Sequence, residues 1–272
     1  MEVIAGKYIV VHQLNVFFAH VTAMLLEHFD RPEYQGALFP LGTYIFTSVE
    51  VMKRDNPGRR IIIYQLEQLM GIGAWHSVPK TIDNMRGADE IGDYDPLNIA
   101  YLQQHNLKVD RLVPMLYTKS LDRIATHDAP DFDILFYGLI NERRFRVFQT
   151  LQSQLYGKIR LGWSYGDANI DKHVANCKIV LNLHAFEPWN RQEQVRMFYA
   201  VINKKCVVSE PSQVNNMPGE IIETPVESMA TTLIEMCSTD AWREFGERAR
   251  QRFIARSHEF LMEQFGRKDV AS

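Results

Sequence analysis

Two arginines follow a glycine at a predicted strand-to-helix junction in the second half of the chain. Gly138 comes directly after an apolar run, and Arg143 and Arg144 fall in the first turn of the helix predicted after Asn141. A glycine lets a ligand approach the backbone, a helix N-terminus offers free N–H groups, and arginine binds phosphate oxygens in pairs. The pattern is typical of a phosphate site. A turn glycine followed by a solvated basic helix face is the alternative.

Three further polar segments follow downstream. Asn182 and His184 end an otherwise apolar strand, where such a pair is either satisfied within the core or presented at the sheet edge. Glu193 and Arg196 are three residues apart and share one helix face, as a plain surface ion pair also would. Glu210 follows the next predicted strand, where a carboxylate can accept two sugar hydroxyls.

Polar residues in the first half give weaker signals. His12 and Glu67 stand just beyond two apolar runs, where solvated polar residues that close a strand are equally expected. Asp93 opens an Asp-x-Asp tripeptide of a kind that can bind a metal. Because Asp95-Pro96 is better explained as a helix start, with proline at the first helical position, we expect no metal there.

The composition excludes several classes of protein. With 272 residues, 46% of them hydrophobic and 23% charged, the chain is typical of a globular protein with a real core. The net charge of -3 excludes a strongly basic nucleic-acid coat, and three widely spaced cysteines indicate a reducing, intracellular setting. No apolar stretch approaches the roughly 20 residues that span a bilayer, so we expect a cytoplasmic protein without membrane insertion. Dinucleotide-binding, P-loop, hydrolase-elbow and zinc-protease motifs are absent from the sequence.

Short apolar runs alternate with helix-period segments along the chain. The predicted strands are 8–11, 60–64, 111–116, 133–137, 158–163, 178–183, 206–208 and 221–222. The predicted helices are 16–29, 95–105, 142–156, 168–176, 192–203, 226–237 and 241–265. This alternation predicts an α/β protein with parallel sheets that are covered by helices on both faces.

The pattern breaks at the polar, proline-containing stretch 127–131 and then restarts. We therefore predict two Rossmann-like lobes, residues 1–128 and 129–272. Ligands of open α/β sheets bind beyond the carboxyl ends of the strands, which is where the polar residues described above are expected to lie.

Six motifs, taken in order, resemble those of a group of short bacterial and phage glycosyltransferases of the GT-B type. They are Gln-Leu-Glu-Gln at 65–68, Asp-Tyr-Asp-x-x-Asn at 93–98, Phe-Tyr-Gly-x-x-Asn-x-Arg-Arg at 136–144, Asn-x-His at 182–184, Glu-x-x-Arg at 193–196 and Val-Val-Ser-Glu at 207–210. The matches cover most of the chain, and their combined specificity is far above that of any single motif.

The resemblance implies two Rossmann-like lobes that face a cleft, with a nucleotide-sugar donor mainly on the second lobe and the acceptor mainly on the first. Basic side chains and a helix N-terminus would neutralise the diphosphate, so that neither a metal nor another cofactor is required. The implied donor-binding residues are Gly138, Asn141, Arg143, Arg144, Asn182, His184, Glu193, Arg196 and Glu210. Among them, Glu193 would accept the ribose hydroxyls.

Two departures from the resemblance leave the stereochemistry open. The larger retaining GT-B families carry two glutamates separated by seven residues, and Tyr199 stands where the second is expected. Their usual Arg and Lys pair is replaced by Arg143 and Arg144. An inverting route would need a general base, for which the candidates are His12, Glu67 and Asp93.

The acceptor also stays open between two partners. Compact phage enzymes of this type attach sugars to hydroxymethylated pyrimidines in DNA, and a cell-surface glycan is the competing acceptor. A non-catalytic GT-B-like module that binds a nucleotide or glycan, and a sugar-phosphate epimerase or other doubly wound enzyme, are the rival functions. The sequence does not predict the donor sugar, the nucleotide or the oligomeric state.

Overall fold

The computed structural model describes residues 2–5, 8–12, 16–69, 77–125, 127, 130–164, 169–186 and 191–266. The chain divides into two compact units, Met1–Met115 and Leu116–Ser272. Both are α/β units with mainly parallel sheets, which confirms the predicted fold class of two Rossmann-like lobes.

The first unit is built on two three-stranded sheets. Its strands are β1 (Glu2–Ala5), β2 (Tyr8–His12), β3 (Leu38–Leu41), β4 (Ile62–Gln65), β5 (Glu90–Asp93) and β6 (Arg111–Leu112). Strand β1 pairs antiparallel with β2, and the pairs β2–β3, β4–β5 and β5–β6 are parallel. A parallel bridge between Leu38 and Ile61 joins the two sheets.

Helices of the first unit bury their apolar residues against these strands. They are α1 (Val16–His28), α2 (Val49–Asp55), α3 (Val78–Met85) and α4 (Pro96–Gln104). Ile63 and Ile91 from the strands, with Ile61 just before β4, share one core with Ile82 and Met85 of α3. Asp95 caps α4, because its side chain accepts a hydrogen bond from Leu97 N at 2.9 Å, and this confirms the predicted helix start.

The second unit is built on one parallel five-stranded sheet. Its strands are β7 (Phe132–Tyr137), β8 (Leu161–Ser164), β9 (Cys177–Asn182), β10 (Cys206–Ser209) and β11 (Ile222–Glu223), in the spatial order β11-β10-β9-β7-β8. Its helices are α5 (Glu142–Leu155), α6 (Ile170–Ala175), α7 (Gln194–Ile202), α8 (Val226–Ser238) and α9 (Ala241–Phe265). Strands β7, β9 and β10 are largely buried and mostly apolar, whereas β8 and β11, at the two edges of the sheet, are partly exposed.

The register of this sheet brings three strand ends together. Phe136 lies opposite Leu181, and Ser209 lies opposite Asn182. The residues that follow β7, β9 and β10 therefore emerge at one edge of the sheet, where ligands of open α/β sheets bind.

The boundary between the units lies earlier than predicted. The division falls after Met115, not at 128/129, since the segment that follows packs on the second unit. Tyr117 N donates to Ser257 Oγ at 2.7 Å, and Asn203 Oδ1 accepts from Arg123 N and Ile124 N at 3.1 and 2.9 Å. The break that the sequence shows at Pro130 is a turn before β7. Residues 128 and 129 lie outside the described residues.

Helix α9 is long enough to cross a bilayer, but its arginines and glutamates make it far too polar to do so. No helix in the described part of the chain combines the length and the apolar character that a membrane span requires.

Candidate functional site

Three arginines and two glutamates form a buried cluster at the carboxyl edge of the second unit's sheet. The members of this arginine cluster are Arg143, Arg144, Glu193, Arg196 and Glu210. They come from the N-terminus of α5, the start of α7 and the end of β10. Residues that are far apart in sequence meet because β7, β9 and β10 are neighbours in the sheet.

Arg143 is held by the residues that follow β9 and β10. Its guanidinium makes a two-pronged contact with the Glu210 carboxylate, at 2.9 and 2.5 Å, and also donates to the carbonyl of His184 at 2.9 Å. The backbone N–H of His184 donates to Glu210 as well, at 2.5 Å. About 15% of the Arg143 side chain stays exposed.

Arg144 is buried more deeply, and each of its three guanidinium nitrogens donates to a protein acceptor. It donates to the carbonyls of Leu183 and Leu139, each at 2.9 Å, and to Glu193 Oε1 at 2.5 Å. Its orientation follows from Asn141, which caps α5 by accepting a hydrogen bond from Arg144 N at 3.0 Å. We conclude that Arg144 fixes the local structure and Arg143 faces outward.

Arg196 completes the cluster from α7. Its guanidinium contacts Glu193 Oε2 at 2.6 Å and Asn182 Oδ1 at 3.0 Å, while its Nε meets no acceptor among the described residues. The guanidinium lies where a side chain at Gly138 would be, since a Cβ built there would be 3.0 Å from Arg196 Nη2. Gly138 also has a φ of 139°, a conformation that favours glycine.

The electrostatics of the cluster favour an anionic ligand. Burial by itself would raise the pKa of Glu193, but Arg144 and Arg196 outweigh burial and hold that pKa below its ordinary value. Burial lowers the pKa of Arg196 to about 10. Among the described residues of the cluster, three guanidinium groups face two carboxylates, and guanidinium groups are well suited to binding an anion.

Exposed apolar side chains adjoin the arginine cluster at the same edge. Trp163, at the end of β8, is 51% exposed, and Leu139 is 58% exposed. The indole N–H of Trp163 donates to the carbonyl of Gly138 at 3.0 Å, which fixes the ring plane. Gly138 therefore contacts both the Arg196 guanidinium and the Trp163 indole.

The first unit has a different polar arrangement at the corresponding edge of its sheet. Its amide network consists of the side chains of Tyr44, Gln65, Asp93 and Asn98 together with the backbone of residues 66–69. Gln65 ends β4, Asp93 ends β5, and the two lie opposite each other in register. Gln65 Nε2 donates to Asp93 Oδ2 at 2.7 Å.

Two carboxyl groups of this network region have raised pKa values. Burial raises the pKa of Glu67 to about 7, and no cation among the described residues opposes it. Burial also raises the pKa of Asp93 well above its ordinary value, although Asp95 N and Gln65 donate hydrogen bonds that act in the opposite direction. Glu67 is partly exposed, whereas Asp93 is completely buried.

The nine residues expected to bind the donor all lie together at the edge of the second unit's sheet. Asn182 and His184 are tied into the protein there, because Asn182 Nδ2 donates to Ser209 Oγ at 3.0 Å and the His184 ring bonds to the carbonyl of Pro211 at 3.1 Å. Asn141 Nδ2 donates to the carbonyl of Ala185. These three residues hold the site in shape.

The three candidate bases differ in their positions and surroundings. Glu67 and Asp93 lie at one edge of the first unit, linked through Gln65. His12 ends β2, and its side chain lies outside the described residues. Asp93 does not fit the expectation of a base, since its oxygens accept hydrogen bonds from Gln65 and Asp95 and no part of it is exposed.

Sequence reasoning missed Trp163, Tyr44 and the individual roles of Gln65 and Asn98. An aromatic residue at a strand end was a signal for Trp163. The polar Gln65, which closes the apolar run Ile61-Ile62-Ile63-Tyr64, was a signal for the amide network.

Comparisons with known proteins bear on the fold. No family model matches the chain, and no curated protein matches it. Among solved structures, the chain is similar to a variant of S. aureus TarM in complex with fondaparinux, alpha-GlcNAc-glycerol and UDP, with 15% identity and a TM-score of 0.53. That match covers 84% of this chain and 54% of TarM, so the chain spans about half the length of that structure.

Two further solved structures are similar at lower TM-scores. A glycosyltransferase from Rickettsia africae has 10% identity and a TM-score of 0.44, covering 92% of this chain and 82% of that one. Acinetobacter baumannii MurG has 13% identity and a TM-score of 0.39, covering 91% of this chain and 78% of that one. The TarM similarity, together with the two α/β units, shows that the chain has the GT-B fold.

Proposed function

We propose that this protein is a glycosyltransferase that uses a nucleotide-sugar donor bound at the arginine cluster. The observation that carries the proposal is that three arginine guanidinium groups meet at the carboxyl edge of a GT-B-type sheet. Solved structures with this fold include complexes with UDP and GDP, which supports a nucleotide as the ligand class.

Arg143 would bind the diphosphate. It is the most exposed arginine of the cluster, and it lies in the first turn of α5, whose free N–H groups and dipole also favour an anion. Diphosphate oxygens would compete with Glu210 for the two prongs of Arg143. Arg144 and Arg196 would supply positive potential from fixed positions as the nucleoside diphosphate departs.

Trp163 and Leu139 would support the nucleobase. An exposed aromatic ring whose plane is fixed by a hydrogen bond is a suitable stacking surface, and stacking on an aromatic side chain is worth about 1–3 kcal/mol per base. Because Gly138 joins Trp163 to the arginine cluster, one nucleotide would contact both.

The first unit would hold the acceptor, with Glu67 or His12 as the general base of an inverting transfer. With its pKa near 7, Glu67 is suited to accept the acceptor's proton at neutral pH. The arginine cluster would neutralise the diphosphate without a metal ion.

The cytoplasmic location also stays a prediction.

The test of the donor site is a binding titration with UDP-, GDP-, dTDP- and ADP-sugars, followed by calorimetry and thermal shift. For the donor that binds, Arg143→Ala should weaken affinity roughly tenfold or more, because a hydrogen bond to a charged group is worth about 1.5–3 kcal/mol. Arg146→Ala is the matched control, since Arg146 lies on the same helix, is 69% exposed and pairs only with the exposed Glu142 among the described residues.

Unchanged donor affinity in folded Arg143→Ala would contradict the phosphate assignment. Arg143→Lys separates charge from geometry, because lysine keeps the charge but loses the two-pronged contact. Trp163→Ala should weaken binding of the nucleoside monophosphate and leave binding of inorganic pyrophosphate unchanged.

We propose two acceptor classes, DNA with hydroxymethylated pyrimidines and a cell-surface glycan, and a transfer assay distinguishes them. Hydroxymethylcytosine DNA and an oligosaccharide panel are offered with the donor that binds, and the labelled sugar is followed by mass spectrometry. Nothing in the similarity to TarM bears on a DNA acceptor or on a phage origin, so these stay predictions from the sequence motifs. Transfer to neither class, with donor binding intact, would favour the non-catalytic nucleotide- or glycan-binding module.

One observation favours the non-catalytic nucleotide- or glycan-binding module. Both oxygens of Glu193 are engaged by arginines, and Tyr199, which stands where a second glutamate was expected, is buried and donates to Asp171. A binding module would show nucleotide binding without release of nucleoside diphosphate.

A further inference from the structure

The loop that follows β4 is held by side chains at almost every peptide. Leu66 N donates to Tyr44 Oη at 3.0 Å, and Glu67 N donates to Gln65 Oε1. The Glu67 carbonyl accepts from Gln65 Nε2 and from Asn98 Nδ2, each at 2.8 Å. Leu69 N donates to Asn98 Oδ1 at 3.2 Å. Side-chain contacts thus fix the backbone on both sides of Glu67.

A second layer of contacts orients the side chains that hold this loop. Gln65 Nε2 donates to Asp93 Oδ2 at 2.7 Å, and Gln65 Oε1 accepts from Tyr44 Oη at 2.8 Å. Asp93 is itself fixed by Asp95 N, which donates to its Oδ1 at 2.8 Å. The Glu67 peptide groups decide which way round the Gln65 amide lies, because the N–H must meet the amide oxygen and the carbonyl the amide nitrogen, and Asp93 accepts from that same nitrogen.

These contacts hold the loop backbone rigid at Glu67, whose side chain takes no part in the amide network. Gln65, Asp93 and Asn98 have no exposed surface at all, whereas Glu67 is partly exposed. A buried polar network with its donors and acceptors matched specifies one geometry. Within residues 16–69 and 77–125, the contacts on Glu67 go to its peptide groups and none goes to its carboxyl group.

We infer that Gln65 and Asn98 are positioning residues that hold Glu67 in place as the carboxylate acting on the acceptor, and that buried Asp93 orients Gln65. The inference rests on the proposed function for the identity of the reaction. It changes the expected role of Asp93 from that of a candidate base to that of an anchor. It also selects Glu67 over Asp93 as the residue that touches the acceptor.

The experiment compares Asn98→Ala with Asn84→Ala in the full chain. Asn84 is a matched control because it is also a buried asparagine of the first unit whose amide donates to a backbone carbonyl, that of Ile45 at 3.4 Å. We expect Asn98→Ala to lower kcat at least tenfold with the KM for the donor unchanged. Asn84→Ala should leave kcat unchanged even where it lowers the unfolding temperature.

Amide hydrogen exchange gives a readout that does not depend on activity. Protection at the amides of Glu67 and Leu69 should fall in Asn98→Ala and persist in Asn84→Ala. Gln65→Glu, which keeps the shape but removes the Nε2 donor, should lower kcat in the same way, because it loses the bonds to Asp93 and to the Glu67 carbonyl.

Unchanged kcat or unchanged amide protection in Asn98→Ala would overturn the inference. If wild-type protein transfers no sugar to any acceptor, the proposed function fails, and hydrogen exchange then still decides whether Asn98 holds the loop. The two failures are thereby distinguishable.

Discussion

Glu193 and Glu67 are two shielded glutamates at the carboxyl edges of the two sheets, and their pKa values move in opposite directions. Glu193 lies between Arg144 and Arg196, which overcome the effect of burial and lower its pKa. Glu67 has no such cation among the described residues, and burial raises its pKa to about 7. The same residue type thus stays ionised in one unit and is poised to exchange a proton in the other.

The difference teaches what each edge is built to do. The arginine cluster gathers fixed charge, which suits binding and neutralising an anion. The amide network gathers neutral donors and acceptors, which fix a geometry without lowering the basicity of a carboxylate. The comparison predicts that removing a cation beside Glu193 makes that residue behave more like Glu67.

The largest expected effect comes from Arg144→Met. Loss of this guanidinium leaves Glu193 with one cation and leaves two backbone carbonyls unbonded, so we expect roughly 3–5 kcal/mol of destabilisation. Urea unfolding measures it, with Arg146→Ala as the exposed control on the same helix, expected within about 0.5 kcal/mol of wild type. A loss below about 1 kcal/mol would show that the cluster does not depend on this ion pair.

A smaller effect is expected from Gly138→Ala. The added Cβ would lie 3.0 Å from the Arg196 guanidinium, and the alanine would have to keep a backbone φ of 139°. We therefore expect about 1–3 kcal/mol of destabilisation together with weaker donor binding. Gly157→Ala is the control, because Gly157 also has a positive φ, of 71°, and nothing lies within 4 Å of its added Cβ. If both variants kept wild-type donor affinity, the close approach of Arg196 would not matter for binding.

The third expected effect is in the pH dependence of stability, and it has opposite signs at the two glutamates. Glu67 has a folded pKa of about 7 against an ordinary value of 4.5, so its contribution is present below pH 4.5 and is lost as the pH rises towards 7. Glu193 has a lowered pKa, so its contribution is present above pH 4.5 and is lost as the pH falls through the folded value.

Urea unfolding of Glu67→Gln and Glu193→Gln between about pH 3 and pH 8 checks both signs, since the Glu193 contribution changes below pH 4.5. Relative to wild type, Glu67→Gln should gain stability as the pH rises, and Glu193→Gln should lose it. Parallel curves for the two variants would remove the basis of the comparison. In a transfer assay, the acid limb near pH 7 should disappear with Glu67→Gln.

Much of the second unit's fold was predictable from its sequence, because its central strands β7, β9 and β10 are largely buried and mostly apolar. Strand β7 begins at 132 where 133 was predicted, and α9 has the predicted bounds. The strands of the first unit were harder to predict from the sequence. Strand β3 contains Pro40, which argues against a strand, and β5 is Glu-Ile-Gly-Asp, which has no apolar pattern.

Tertiary contacts explain why β5 is a strand all the same. Glu90, at its first position, is buried because Arg111 and Arg60 contact its carboxylate at 2.8 and 3.3 Å. The predicted strand over 111–116 is shorter in the structure, where β6 ends at Leu112 and Pro114 has no N–H to donate. Partners that lie far along the chain decided these elements, and no local pattern carries that information.

The fold class and the residue types of the arginine cluster follow from the sequence alone, because strand-to-helix junctions and periodicity are local properties. The pairing of Arg144 with Glu193, the seating of Arg196 against Gly138 and the burial of Asp93 depended on which strands are neighbours. Only the tertiary structure decided those contacts. They in turn decide which carboxylates stay charged, since a pKa depends on the burial and the charges that surround a group and not on its place in the chain.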